Sequence, residues 1–212
     1  MRDHQERFNQ ALKALPLLAS LRGLLPADAV PIVHVLRKAG WGIVEVPLNE
    51  PQAMASIERL AKTYPDQLIG AGWVMSMADV RNVRAAGGTL VACPHVDVGI
   101  IRSARDLGLA CLPGVATPTE AYTALGAGAM ALQLVPAALI TPGVVRAFRT
   151  LLPLSIPLLV GGGVTLELVG DYLSAGASGF AIGSALYRPG DTASAVAVAA
   201  GVFAAALEAT GA

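Results

Sequence analysis

One acidic residue stands inside an apolar segment and is the first candidate for chemistry. Glu45 lies between Val44 and Val46. A carboxylate buried among such side chains is costly unless it is paired or hydrogen-bonded. An apolar environment also raises the pKa of a carboxyl group, which suits it to general acid–base catalysis near neutral pH. Glu45 is therefore predicted to be either a catalytic acid–base or one partner of a structural ion pair with Arg22.

Glycine-rich segments after two successive apolar runs predict an anion-binding site. Gly161-Gly162-Gly163 follows one run, and Gly183-Ser184 follows the next. Turns of this kind expose backbone N–H groups, and the start of a following helix adds a positive dipole that favours phosphate. Glycine also serves tight turns for steric reasons alone. Because the two segments end successive runs, phosphate binding is the favoured interpretation.

Arg22 and a histidine–aspartate pair are further candidates. Arg22 follows the first apolar run, where its guanidinium could hold a carboxylate in a bidentate grip or lie solvated in a loop. His95 and Asp97 could join Glu45 as metal ligands, but their spacing resembles no metal-binding motif. We therefore predict no metal site and no cofactor.

Eight short apolar runs are predicted to be strands that position these residues. They are apolar through most of their length, as expected for parallel strands that are buried on both faces. The predicted strands are Pro16–Leu21, Gly42–Leu48, Leu68–Val74, Leu90–Pro94, Ala110–Pro113, Ala131–Val135, Leu158–Gly162 and Gly179–Ile182. Amphipathic segments such as Ala27–Ala39 separate them and are predicted to be helices, one of which begins at the capping-box sequence Thr117-Pro118-Thr119-Glu120.

The regular repeat of strand and helix, about every 20–27 residues, favours an α/β fold of the closed (β/α)8 TIM-barrel type. An open doubly wound sheet is the alternative, but such sheets usually have about five or six strands. We predict one domain over residues 1–212, with an N-terminal helical extension at 1–14 and a C-terminal helix at 190–212. The active site of such a barrel lies at the C-terminal ends of its strands.

The composition argues against several classes of protein. Of the 212 residues, 54% are hydrophobic, and 15 basic residues balance 15 acidic ones, so no electrostatic footprint for nucleic acid or an anionic membrane is present. No apolar run has the length of a membrane span, and the polar N-terminus is unlike a signal peptide. Cys93 and Cys111 are too few for a disulfide framework and are predicted to be core residues. A cytoplasmic location is expected.

Several short motifs, in order along the chain from about Pro16 to Asp191, resemble one enzyme family. They are Leu21-Arg22-Gly23, Val44-Glu45-Val46-Pro47-Leu48-Asn49, Ile69-Gly70-Ala71-Gly72, Pro113-Gly114-Val115-Ala116-Thr117, Gly162-Gly163-Val164-Thr165 and Gly183-Ser184-Ala185-Leu186-Tyr187-Arg188. The chain resembles the 2-keto-3-deoxy-6-phosphogluconate and 2-keto-3-deoxy-6-phosphogalactonate (2-dehydro-3-deoxy) aldolases, and most closely the phosphogalactonate branch.

The resemblance implies a homotrimeric (β/α)8 enzyme that cleaves a phosphorylated 2-keto-3-deoxy sugar acid to pyruvate and glyceraldehyde 3-phosphate. In the family, a lysine on strand six forms a Schiff base with the keto carbon. Glu45 matches the glutamate that moves protons. The positions that match the family's substrate site are Arg22, Asn49, Trp73 and Pro113 at the sugar acid, and Gly162, Gly163, Gly183 and Ser184 at the phosphate.

Three residues depart from the family pattern. Gln133 stands where the resemblance places the Schiff-base lysine, Trp73 replaces a threonine, and Gly161 changes a position that helps to read the C4 hydroxyl. We therefore predict an aldolase-family protein that is impaired or inactive as a Schiff-base aldolase. Two alternatives stay open: a catalytically silent protein that binds a phosphorylated keto acid or pyruvate, and a Glu45-driven enolisation of a keto acid without a Schiff base.

Overall fold

The computed structural model describes residues 2–210, which form a closed barrel of eight parallel strands in chain order. This confirms the predicted fold. The strands are β1 (Leu17–Ser20), β2 (Ile43–Pro47), β3 (Leu68–Gly72), β4 (Leu90–Cys93), β5 (Ala110–Val115), β6 (Leu132–Leu134), β7 (Leu158–Gly161) and β8 (Gly179–Ile182). Pairing of β8 with β1 closes the barrel. All eight predicted strands are present, with ends that agree within two residues.

A helix precedes the barrel and one follows each strand. They are α1 (Arg2–Ala14), α2 (Pro26–Lys38), α3 (Ala53–Thr63), α4 (Met77–Ala85), α5 (Val98–Asp106), α6 (Pro118–Ala127), α7 (Pro142–Leu151), α8 (Leu166–Ser174) and α9 (Ala193–Glu208). The predicted terminal helices at 1–14 and 190–212 correspond to α1 and α9, and positions 1, 211 and 212 lie outside the described residues. Within the described part, no helix is both long and apolar enough to cross a bilayer.

Each strand sends alternate side chains into the barrel and toward the helices, because successive residues of a strand point to opposite faces. The inward side chains form one buried cluster, which includes Leu18, Ile43, Leu68, Leu90, Leu112 and Leu159. Phe8 and Leu12 of α1 belong to the same cluster. Ala11 of that helix faces Gly42, immediately before β2, so α1 covers the N-terminal end of the barrel. Side chains of the strands and of α1 therefore fill the barrel interior at this end.

The outward side chains pack under the helices and include both cysteines. Cys93 and Cys111 are buried and free, as predicted for core residues. A hydrogen bond with Cys93 and burial together raise the pKa of the Cys111 thiol.

The helix α6 has the predicted capping box, in which the Thr117 side chain accepts from the Glu120 backbone N–H and the Glu120 side chain accepts from the Thr117 backbone N–H. The capping box fixes where α6 begins, just after the end of β5.

Candidate active site

A cavity of about 420 Å³ opens at the C-terminal end of the barrel. This volume is in the range typical of small-molecule sites. Its floor is set by the strand register, in which Ser20 pairs with Glu45 and Gln133 pairs with Gly114. At the same depth β4 and β8 contribute Ala92 and Ala181, and glycines fill most of the remaining strand positions. The floor therefore has three polar side chains surrounded by small residues.

The structure brings together most of the residues that the sequence singled out. The predicted residues that line the cavity are Arg22, Glu45, Trp73, Gln133, Gly162, Gly163, Gly183 and Ser184. Asn49 lies exposed in the turn after β2 and does not line the cavity. Pro113 is also outside the lining, because it alternates with the inward-facing Leu112 of β5 and shares the outward parity of Cys111.

Sequence reasoning did not assign roles to Ser20 and Arg188, which also line the cavity. Ser20 could have been found by counting strand parity, since it stands two residues after the inward-facing Leu18. Arg188 lies in the irregular segment after β8, where no periodicity indicates the direction of a side chain. Its Nε donates to the Ser184 carbonyl oxygen at 3.3 Å. This bond holds the guanidinium beside the glycine-rich rim, which consists of Gly162, Gly163, Gly183 and Ser184.

Glu45 is almost completely buried, at 6% exposure. Its Oε2 atom has no hydrogen-bond partner among the described residues. Burial raises the pKa of this carboxyl group to about 7, while a hydrogen bond from Ser20 and the positive charge of Arg22 oppose the rise. A carboxyl group with such a pKa can both accept and donate a proton near neutral pH.

The carboxyl group of Glu45 is pressed against the backbone of β3. A Cβ atom added at Gly72 would overlap Oε2 of Glu45, so a side chain at this position would displace the carboxyl group. The ion pairs within 4.0 Å in the described part of the chain join Lys62 to Glu58 and Arg105 to Asp106. Arg22 therefore acts on Glu45 through its electric field and not through a contact ion pair.

Gln133 extends from β6 over the neighbouring strand β7. A Cβ atom added at Gly161 would overlap Nε2 of Gln133 and would also approach the Ala181 Cβ to 3.1 Å. The amide group thus occupies space that any larger residue at position 161 would need. Its neutral amide can donate and accept hydrogen bonds but adds no charge to the floor.

The glycine-rich rim adopts backbone conformations that favour glycine. Gly162 and Gly163 have φ values of 77° and 105°, in the left-handed region. The helix α8 begins shortly afterwards, and its N-cap residue Thr165 makes no side-chain capping bond. Backbone N–H groups at such a helix start favour anions.

His95 and Asp97 lie outside the cavity lining. The Asp97 carboxylate accepts from the Ile100 backbone N–H at 2.8 Å and so caps α5. The Nδ1 atom of His95 is buried without a hydrogen-bond partner in the described structure. No group of three or more His, Cys, Asp or Glu side chains suited to a metal ion occurs among residues 2–210.

Comparison with known proteins decides the family. The family model for KDPG and KHG aldolases matches residues 8–197, which is most of the chain. The chain belongs to the KDPG and KHG aldolase family. Among similar members, a probable 2-dehydro-3-deoxy-6-phosphogalactonate aldolase of Rhizobium meliloti (strain 1021) is 41% identical over 176 residues, covering 82% of this chain and 83% of the relative.

Two further members of the KDPG and KHG aldolase family agree with this assignment. The 2-dehydro-3-deoxy-6-phosphogalactonate aldolase of Escherichia coli (strain K12) is 40% identical over 179 residues, covering 84% of this chain and 87% of the relative. A solved structure described as native KDPGal superimposes with a TM-score of 0.90 at 38% identity, covering 92% of this chain and 96% of the other. Sequence and fold therefore agree on the family and on the similarity of this chain to phosphogalactonate aldolases.

The raised pKa of Glu45 predicts an unusual pH dependence of stability. Below about pH 4.5 the carboxyl group is protonated in both the folded and the unfolded chain, and burial carries no charge penalty. As pH rises toward about 7, the unfolded chain ionises first and stability falls, by ~3 kcal/mol in all. Glu45→Gln should remove this fall, so its unfolding free energy relative to the wild type should increase between about pH 5 and about pH 8.

Urea unfolding at both pH values measures this difference. Glu58→Gln is the matched control, because Glu58 is exposed and the hydrogen bond from Lys62 lowers its pKa. That variant should follow the wild type across the whole interval. Parallel stability profiles for the wild type and Glu45→Gln would contradict the assignment of a raised pKa to Glu45.

Proposed function

We propose that this chain binds a phosphorylated 2-keto-3-deoxy sugar acid at the barrel mouth and does not cleave it through a Schiff base. One observation carries the proposal: the inward-facing side chain of β6 at the cavity floor is Gln133, where the family resemblance places a lysine. The lone pair of an amide nitrogen is delocalised into its carbonyl group. It cannot attack a ketone to form an iminium, which is the electron sink of this route.

The lysines of the chain cannot replace the missing amine. Lys13, Lys38 and Lys62 are exposed on α1, α2 and α3. The Lys62 ammonium group is also paired with Glu58 at 2.7 Å. None of the three lines the cavity. A route through an iminium would therefore need an amine other than these three lysines.

The charges at the cavity mouth support binding of a ligand with two anionic ends. Arg22 and Arg188 both line the cavity, and neither forms an ion pair within 4.0 Å in the described part of the chain. Among the described residues that line the cavity, the acidic one is Glu45, and its raised pKa leaves it partly uncharged at neutral pH. A carboxylate near Arg22 and a phosphate at the glycine-rich rim would compensate these charges.

The cytoplasmic location and the homotrimer stay predictions.

Restoring the amine tests the proposal most simply. Wild-type protein should bind 2-keto-3-deoxy-6-phosphogalactonate in calorimetry, release no pyruvate above buffer, and resist borohydride trapping with pyruvate. Gln133→Lys should form a reducible adduct of lysine and pyruvate, because the absence of a side chain at Gly161 leaves room for the longer group.

Gln133→Leu is the matched control and should neither trap nor release pyruvate. If Gln133→Lys fails to trap, the combination with Trp73→Asn separates steric blocking by the indole from a misplaced amine. Wild-type turnover without added metal, or trapping by the wild type, would disprove the proposal. Failure of the wild type to bind any phosphorylated keto acid would disprove its binding half.

Proton exchange at a keto acid is a second candidate function, and the unpaired Oε2 atom of Glu45 favours it. The Glu45 carboxylate would take a C3 proton from a 2-keto acid. The C–H electron pair would then form the C2–C3 double bond, and the carbonyl π pair would move to the keto oxygen. The Gln133 N–H and the Arg22 guanidinium would stabilise the resulting enolate. The proton on Glu45 would exchange with solvent, and transfer of the solvent-derived proton to C3 would restore the ketone and complete the exchange.

Deuterium uptake at the methyl group of pyruvate in D2O, followed by proton NMR, tests this candidate. The rate should rise with pH and level off above about pH 7, because the charged form of Glu45 is the base. Glu45→Gln should abolish the uptake, and Gln133→Leu should slow it by roughly 100- to 1,000-fold through loss of one donor to the enolate. Uptake that persists in Glu45→Gln would exclude Glu45 as the base.

A further inference from the structure

Trp73 has a backbone conformation that bulky residues rarely adopt. Its φ angle is 53°, in the left-handed region. Strain of this kind persists only where the surrounding structure enforces it, and it is concentrated at binding and catalytic sites. Here the preceding residue, Gly72, is held against the Glu45 carboxyl group. The end of β3 is thus fixed, and the chain turns there so that the indole lies at the cavity mouth.

The indole of Trp73 lies against the guanidinium of Arg22. The Arg22 Cζ atom is 5.4 Å from the ring centroid, which is within the range of a cation–π contact. Both side chains line the cavity, and 45% of Trp73 is exposed. Arg22 forms no ion pair within 4.0 Å with any described residue. The aromatic contact is therefore an interaction that restrains this guanidinium before a ligand arrives.

The contact with the indole is compatible with binding of a carboxylate by Arg22. A guanidinium stacks on an aromatic ring through its flat face, and it binds a carboxylate through N–H groups in its plane. The two interactions can therefore occur together. An indole beside the guanidinium also limits the rotamers of Arg22, which lowers the cost of binding a carboxylate.

We propose that Trp73 is a positioning residue that holds Arg22 over the cavity mouth to take the carboxylate of a keto acid. The inference rests on the proposed function for its ligand. Trp73 also forms an apolar wall of the cavity, and a wall would act on any ligand. A positioning residue acts through Arg22 alone, so its effect must be confined to ligands that carry a carboxylate.

Two probes and a double-mutant cycle test this distinction. The probes are 2-keto-3-deoxy-6-phosphogalactonate, which has a carboxylate, and glycerol 3-phosphate, which has none. Trp73→Asn removes the indole and keeps a residue that tolerates the left-handed region. It should weaken binding of the first probe by roughly 3- to 10-fold and leave the second within about twofold. Trp73→Phe should recover most of the lost affinity, because a phenyl face also binds a guanidinium.

In the Arg22→Gln background, Trp73→Asn should have less than about a twofold effect on the first probe, since the group it positions is gone. Met75→Thr is the matched control, because Met75 is an exposed apolar residue of the same loop that does not line the cavity. It should bind both probes as the wild type does. Additive losses in the cycle, or equal losses for both probes in Trp73→Asn, would overturn the inference.

A measurement without ligand separates this inference from the proposed function. The Arg22 Hε resonance should be shifted upfield by the indole ring in the wild type, and the shift should disappear in Trp73→Asn and remain in Met75→Thr. An unshifted wild-type resonance would overturn the positioning role, whatever the ligand. Failure of the wild type to bind either probe, with the shift present, would instead overturn the proposed function.

Discussion

The burial of one carboxyl group against the barrel wall is the constraint on which the site depends. Glu45 is held at the floor by the alternation of β2, and its Oε2 atom occupies the space that a side chain at Gly72 would need. Burial of this carboxyl group raises its pKa to about 7. Trp73 follows Gly72 with a left-handed backbone, and its indole contacts Arg22 at the cavity mouth.

On the opposite side of the floor, the Gln133 amide of β6 packs against a glycine of the neighbouring strand β7, as the Glu45 carboxyl group does against β3. Gln133 lies over Gly161, and a side chain at position 161 would need the space of its amide group. The floor is therefore a packed arrangement of neutral or neutralisable groups, and the mouth above it has two guanidinium groups. Such a site suits the proposed dianionic ligand, whose middle is uncharged, and the Gln133 amide can form hydrogen bonds with it.

The fold could be predicted from the sequence because eight apolar runs, each ended by glycine, proline or a polar residue, leave few alternatives to a closed barrel. Motif positions predicted most of the cavity lining. Pro113 lies outside the lining, and it alternates along β5 with the inward-facing Leu112. The contact between Arg22 and Trp73 was beyond prediction, because it depends on a left-handed residue that sequence patterns do not reveal.

The central claim is that this aldolase-family chain holds a keto acid without a covalent bond. Carbon NMR of pyruvate labelled with ¹³C at C2, mixed with excess wild-type protein, tests it directly. We expect the C2 resonance to be shifted or broadened by binding and to keep the character of a ketone or its hydrate. A resonance of an iminium or carbinolamine would contradict the claim, and so would a spectrum identical to that of free pyruvate.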